Sequence, residues 1–376
     1  MKKILLGLCL IAASIFYSGC GGGGSGGDSD SSSIVEKVEI NSAEIAKNLV
    51  GENSIQNIEV YLPPDYDESE KNYPVLYFLG GYGDTTDVWF NNSYGLSIQD
   101  SMDSMIEDGS SKSMIIAVIS GKNVFDGSFY TNSPITGNWE DYVVKEVVAK
   151  VDSRYRTIKT KEGRGIAGHS MGGHGALEIG MKYPEIFSAV YALSPGLFDE
   201  NGLEDFLFSS ESAKSSFVAF GNNMEAMSDA DAQTSRNSRM ASIKQDSWTY
   251  IRDVYGFAYA GNSSKKSYMD IPYYLENSSV KENSDIAKWR GGYGNVKEKI
   301  ASYKLKTEKL NAIGLEVGDS DEYPWLIRGC DYFKTQMDSA GITVSYTKFA
   351  GKHQDKLKER VENYLIPFFN SKLSFE

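Results

Sequence analysis

One serine in this chain sits where chemistry would use it. In "GRGIAGHSMGGHGAL" (163–177), glycines crowd around Ser170 at the point where a short apolar stretch gives way to a helix-like one. Two motifs compete for this stretch. Gly163, Gly165 and Gly168 fit G-x-G-x-x-G, a dinucleotide loop, whereas Gly168, Ser170 and Gly172 fit G-x-S-x-G, a strand-to-helix elbow that lifts a nucleophilic hydroxyl above a sheet edge. The dinucleotide loop fails on context. It must follow a hydrophobic strand, and the preceding "YRTIKTKE" is charged, while the apolar Ile166 and Ala167 fall inside the supposed loop. The elbow accounts for the composition, because side chains two positions either side of the serine would collide with neighbouring elements. Gly173 and Gly175 would then let the helix sit close, with its free N–H groups aimed at developing negative charge.

A serine hydroxyl needs a base, usually histidine. The chain has three histidines. His169 leaves the elbow in another direction and His174 lies a turn into the helix, which leaves His353, in "FAGKHQDKL" after the last strand. The acid that orients it should lie at a strand end between Ser170 and His353, and "LEVGDSDEYPW" supplies Asp319, Asp321 and Glu322 there. Spacing does not separate the three. An oxyanion hole would take the N–H of Met171 and a second one from "LGGYGDT" (79–85).

These residues need a scaffold, and the chain alternates as an α/β protein does. "IQNIEVYLP" (55–63) reads as an early strand, and "YPVLYFLGG" (73–81) and "SMIIAVIS" (113–120) as strands buried on both faces. "NWEDYVVKEVVAKVDSRY" (138–155) has helical spacing, with Asn138 as its cap. After the elbow and its helix come a strand in "FSAVYALSPG" (187–196) and two β-α units, "LNAIGLEVGD" with "PWLIRGCDYFKTQMDSA" and "ITVSYTKFAG" with "QDKLKERVENYLIPFF". Between about 197 and 307 the alternation breaks down. This aromatic-rich segment is read as an insertion with helices of its own, either a lid or cleft wall or a small satellite core.

The 376 residues carry a net charge of -13 and 41% hydrophobic residues, a folded acidic protein with no basic cluster to hold nucleic acid. Lys2-Lys3 and "ILLGLCLIAASIFYS" form an export signal too short to span a membrane comfortably. It ends in "YSGC", resembling a bacterial lipoprotein signal over 1–19 with Cys20 as the acylated first residue. The expected organisation is this leader, a Gly/Ser-rich linker over 20–33, and a folded body over 34–376. Gly21, in place of the aspartate that signals inner-membrane retention, points to the outer membrane. With Cys9 and Cys20 spent, Cys330 is left without a disulfide partner. The histidines are too scattered for a metal, and the chemistry asks for no cofactor.

"YLPPDYDESEKNYPVLYFLGGYGD", "GSFYTNSPITGNWEDYVVKEVVAKVDSRYRT", "GRGIAGHSMGGHGALEIGMKYPEIFSAVYALSPG" and "GKHQDKLKERVENYLIPFF" together resemble the esterase D-like family of α/β-hydrolases. That family includes feruloyl and acetyl esterases, S-formylglutathione hydrolases and mycolyltransferases. The resemblance implies an α/β-hydrolase fold, Ser170 as nucleophile and His353 as base. It favours Asp321, three positions after the strand-end Gly318, and Tyr82 as the second oxyanion N–H. Many members have His-Gly where this chain has Gly80-Gly81. The expected activity is that of an exported, lipid-anchored serine carboxylesterase acting on feruloyl or acetyl esters of polysaccharide. Acyl transfer to a sugar and a non-catalytic surface-binding lipoprotein are the alternatives.

Overall fold

The computed structural model describes residues 32–376. The leader, Cys20 and the linker as far as 31 lie outside the described residues. Eight strands form the central sheet: β1 (Ile34–Asn41), β2 (Ile55–Leu62), β3 (Val75–Leu79), β4 (Ile115–Ile119), β5 (Arg164–His169), β6 (Ala189–Leu193), β7 (Ala312–Gly318) and β8 (Ser345–Phe349). Their order is β1-β2-β4-β3-β5-β6-β7-β8. β1 pairs antiparallel with β2, and β2 with β4; all later pairs are parallel. This is an α/β-hydrolase fold.

The central strands are continuous apolar runs because both their faces are covered. Every residue of β3, β4 and β6 is buried. Successive side chains alternate across the sheet: Val75, Tyr77 and Leu79 enter one core, Leu76 and Phe78 the other. β1 is a strand the sequence pattern did not suggest. It lies at the sheet edge, and its Glu36, Lys37 and Glu39 suit a strand half in water.

Helix α1 (Ile98–Glu107), also unforeseen, starts at Ser97, whose side chain accepts the N–H of Asp100. Helix α2 covers 139–154 and includes a π-helical turn over Tyr142–Val147. Asn138 does not cap it. Its side-chain amide instead donates to Glu44 Oε2 at 2.8 Å, drawn away by an acid of the segment between β1 and β2. Helix α3 (Met171–Lys182) follows the elbow and packs across β3, β5 and β6.

The 197–307 segment holds helices α4 (Gly202–Leu207), α5 (Glu211–Ala226), α6 (Asp229–Gln245), α7 (Ile251–Tyr259), α8 (Ile286–Gly291) and α9 (Val296–Leu305), with a hairpin of Tyr273–Glu276 and Ser279–Glu282. Its aromatics divide. Tyr255, Phe257, Tyr273 and Trp289 are buried together, with Trp289 Nε1 donating to Asp270 O at 2.8 Å, whereas Trp248 is 50% exposed. Helix α10 (Pro324–Ser339) follows β7, and α11, over 357–372, closes the chain.

Candidate active site

The elbow is built by steric exclusion. Ser170 ends β5 at φ 56° and ψ -116°, a conformation L-residues rarely adopt, and α3 begins at the next residue. Ser170 N donates to Leu193 O at 2.9 Å, and Ser170 O accepts from Gly196 N at 3.1 Å, so the end of β6 clamps the turn. A Cβ on Gly172 would lie 2.1 Å from Leu79 O, and one on Gly168 would lie 2.4 Å from Gly172 O. Both contacts are with backbone, which cannot swing aside, so the motif's glycines are obligatory.

His353 follows β8, and Asp321 follows β7. His353 Nδ1 lies 2.7 Å from Asp321 Oδ2, with both residues buried. Since the carboxylate can only accept, Nδ1 carries the hydrogen and Nε2 is left with its lone pair. His353 and Ser170 line one cavity of about 230 Å³. The hydroxyl and the ring make no hydrogen bond to each other, and catalytic contacts of this kind often tighten only when substrate binds.

The three acids left open by spacing have distinct roles here. Asp321 receives the ring and, through Oδ1, the N–H of Tyr323 at 2.9 Å. Glu322 accepts the backbone N–H of His353 at 3.0 Å, and Asp319 accepts Gly351 N at 3.1 Å. The neighbours thus fix the loop and Asp321 fixes the imidazole.

The other histidines are buried. Burial holds His169 well below the ordinary histidine pKa, with His353 and Arg360 adding repulsion. Its Nε2 lies 3.2 Å from the backbone oxygen of His353, so it braces the loop as a neutral donor. His174 is pushed down by burial and then by Lys299, and packs against the Tyr293 ring at 4.5 Å. Arg360, fully buried, donates to Glu316 Oε1 at 2.6 Å, His353 O at 3.0 Å and Ser194 Oγ at 2.9 Å, tying the histidine loop to β7 and the end of β6.

Met171 N is the first amide of α3, where helical N–H groups lack an intrahelical acceptor. In the loop after β3, Gly80 N donates to Ile119 O, Gly81 N to Asp84 Oδ2 and Gly83 N to Asp126 O, while Tyr82 N has no acceptor among the described residues. Gly81, Tyr82, Ser170 and Met171 all line the cavity.

Of the cavity's far walls, the sequence offered the insertion as a lid or cleft wall but did not mark Tyr323 and Trp325. Tyr323 and Trp325 come from the start of α10, and Phe206, Trp248 and Ile251 from the insertion. The one available signal was that Tyr323 and Trp325 directly follow the acid loop. Among the described residues no group of three or more His, Cys, Asp or Glu is disposed to hold a metal.

The profile of the family described as "Putative esterase" matches residues 53–250, and the chain belongs to that family. Its relatives include the esterase Rv1288 of Mycobacterium tuberculosis, 35% identical over 130 residues, which are 34% of this chain and 26% of that one. An endo-1,4-beta-xylanase/feruloyl esterase of Xylanibacter ruminicola is 30% identical over 157 residues, 40% of this chain and 21% of the relative. The chain thus spans about a quarter of the length of these relatives. A solved ferulic acid esterase superposes with a TM-score of 0.55 at 20% identity, over 92% of this chain and 100% of the other, a likeness of fold.

Proposed function

We propose that this protein is a serine carboxylesterase. The observation that carries the reading is the strained Ser170 facing the same cavity as a His353 ring already held by Asp321 at 2.7 Å. Ser170 Oγ attacks the ester carbonyl while His353 Nε2 takes its proton. Asp321 keeps the ring in the tautomer that can do so and stabilises the imidazolium. The tetrahedral oxyanion is received by the N–H groups of Met171 and Tyr82. His353 then returns the proton to the leaving alcohol, and water, activated in the same way, releases the acyl group. No step requires a cofactor.

The substrate is an extracellular ester, feruloyl or acetyl on polysaccharide, met by a protein exported and anchored in the outer membrane through lipid on Cys20. The leader's composition supports the export, and the aromatic walls around Trp248 suit a phenolic or sugar ring. The test is hydrolysis of 4-nitrophenyl acetate and butyrate and of methyl ferulate by the wild type and Ser170→Ala. The variant should lose about a million-fold in kcat, the order found when such a nucleophile is removed. Equal rates for the two proteins would end the reading. Labelling of whole cells with radioactive palmitate, lost in Cys20→Ala, tests the anchor.

A further inference from the structure

The cavity holds a buried acid that the mechanism above does not use. Asp84 is 5% exposed and has no ion-pair partner among the described residues. Its carboxylate is nonetheless committed on both oxygens: Oδ2 accepts Gly81 N at 2.7 Å and Oδ1 accepts the hydroxyl of Tyr94 at 2.5 Å. Its backbone oxygen accepts Ser120 Oγ at 2.6 Å, and its own N–H returns to Gly81 O at 3.2 Å. Asp84 therefore closes a small ring around Gly81 and Tyr82 and pins that ring to β4's end. Glycine at 81 gives the ring room, since a Cβ there would come within 3.1 Å of Asp84 Oδ2 and 3.4 Å of His169 Nδ1.

Burying an anion with no cation is costly unless its hydrogen bonds do something. Burial also pushes the Asp84 carboxyl above its ordinary value, against those same bonds. What the bonds accomplish is a choice between amides. Gly81 and Tyr82 are adjacent, their peptide planes are coupled, and both line the cavity. With Gly81 N–H tied down, the Tyr82 amide is the one without an acceptor.

We propose that Asp84 is a positioning residue for oxyanion stabilisation: by accepting the Gly81 N–H, and being held in turn by Tyr94, it fixes the loop so that the Tyr82 N–H meets the charge developing at Ser170. This rests on the esterase reading above. Asp84 touches no reacting atom; it acts through a backbone it holds.

The test uses the purified, folded chain as wild type, Asp84→Ala, Asp84→Asn, Tyr94→Phe and Ser170→Ala. Each is measured for kcat and KM on 4-nitrophenyl acetate and for inhibition by an aryl trifluoromethyl ketone, which mimics the tetrahedral intermediate. Misplacing a catalytic donor by about an ångström costs about 100-fold, so Asp84→Ala should lose about that in kcat with KM within about 3-fold. Its inhibition constant should rise by a similar factor, because the analogue reports transition-state binding. Asp84→Asn keeps an acceptor for Gly81 and should recover to within about 10-fold of wild type, and Tyr94→Phe should lose about 3-fold. A merely structural role would not make inhibitor affinity track kcat. Unchanged kcat and inhibition in Asp84→Ala overturns the proposal, as does a fall in kcat with unchanged inhibition. If Asp84→Ala does not fold, the same two readings in Asp84→Asn and Tyr94→Phe decide. An active wild type, a dead Ser170→Ala and an unaffected Asp84 series would sink the positioning role alone. A wild type no more active than Ser170→Ala would sink the esterase reading itself.

Discussion

The cavity has two walls built on opposite terms. The wall carrying Tyr82, Ser170, Met171 and His353 is made of turns at strand ends held by named hydrogen bonds, and at the elbow by Gly168 and Gly172, which admit no substituent. The wall carrying Phe206, Trp248 and Ile251 comes from the insertion and is held by aromatic packing. Trp248 lies 6.0 Å from the Tyr82 ring, 6.4 Å from Phe206 and 5.9 Å from Tyr323, at angles far from parallel, and keeps half its surface in water. A chemical wall needs sub-ångström placement, so its construction is exclusive; a recognition wall needs only area and shape, so packing suffices.

The sharpest way to break this contrast is at the acid loop. Asp321→Asn should lower kcat on 4-nitrophenyl acetate by about 10,000-fold, the cost of presenting the wrong tautomer. Asp319→Asn, which touches only backbone and Ser320, should change it less than about 3-fold. Comparable losses in both variants would mean that the 2.7 Å contact to His353 is not what selects Asp321.

Much of the chemical wall was legible in the residue string because its constraints are local. A five-residue apolar run such as Val75–Leu79, bounded by Pro74 and Gly80, reads as a covered strand, and an elbow glycine excludes everything but itself. Asp321 was less legible. Asp319 and Glu322 sit at the same strand end, and what separates them is the direction each side chain takes after folding. Asp84 was not legible at all, since its role depends on a turn that brings its carboxylate back to Gly81. β1 escaped notice because an edge strand in water loses the apolar continuity that marks its neighbours. The recognition wall was the least legible part. Periodicity says that aromatics are present, but only packing says that Trp289 is core and Trp248 is rim.

A smaller effect comes from the two histidines outside the proposed triad. Burial, reinforced by Lys299, depresses His174, and burial depresses His169 as well. Unfolded, each takes up a proton near the free value of about 6.5, which the native state refuses. Their contribution to stability is therefore complete above about pH 6.5 and is lost progressively as pH falls below it. His174→Asn should unfold on heating with a midpoint that falls less between pH 7 and pH 5 than that of the wild type; parallel curves would contradict the depressed value.

The smallest effect should come from the recognition wall. Trp248→Ala should raise KM for methyl ferulate by about 5-fold while leaving 4-nitrophenyl acetate within about 2-fold, the scale of one aromatic contact. Equal changes on both esters would mean that Trp248 supports the chemical wall rather than the substrate.

The most direct test of the whole account is covalent. Treated with a fluorophosphonate, which reacts with activated serines, the protein should gain the mass of one adduct. Peptide mapping should place it on Ser170, and the adduct should be absent from Ser170→Ala and strongly slowed in His353→Ala. A protein that takes up no label, or that keeps its label when Ser170 is replaced, would contradict the claim that this strained serine is the nucleophile.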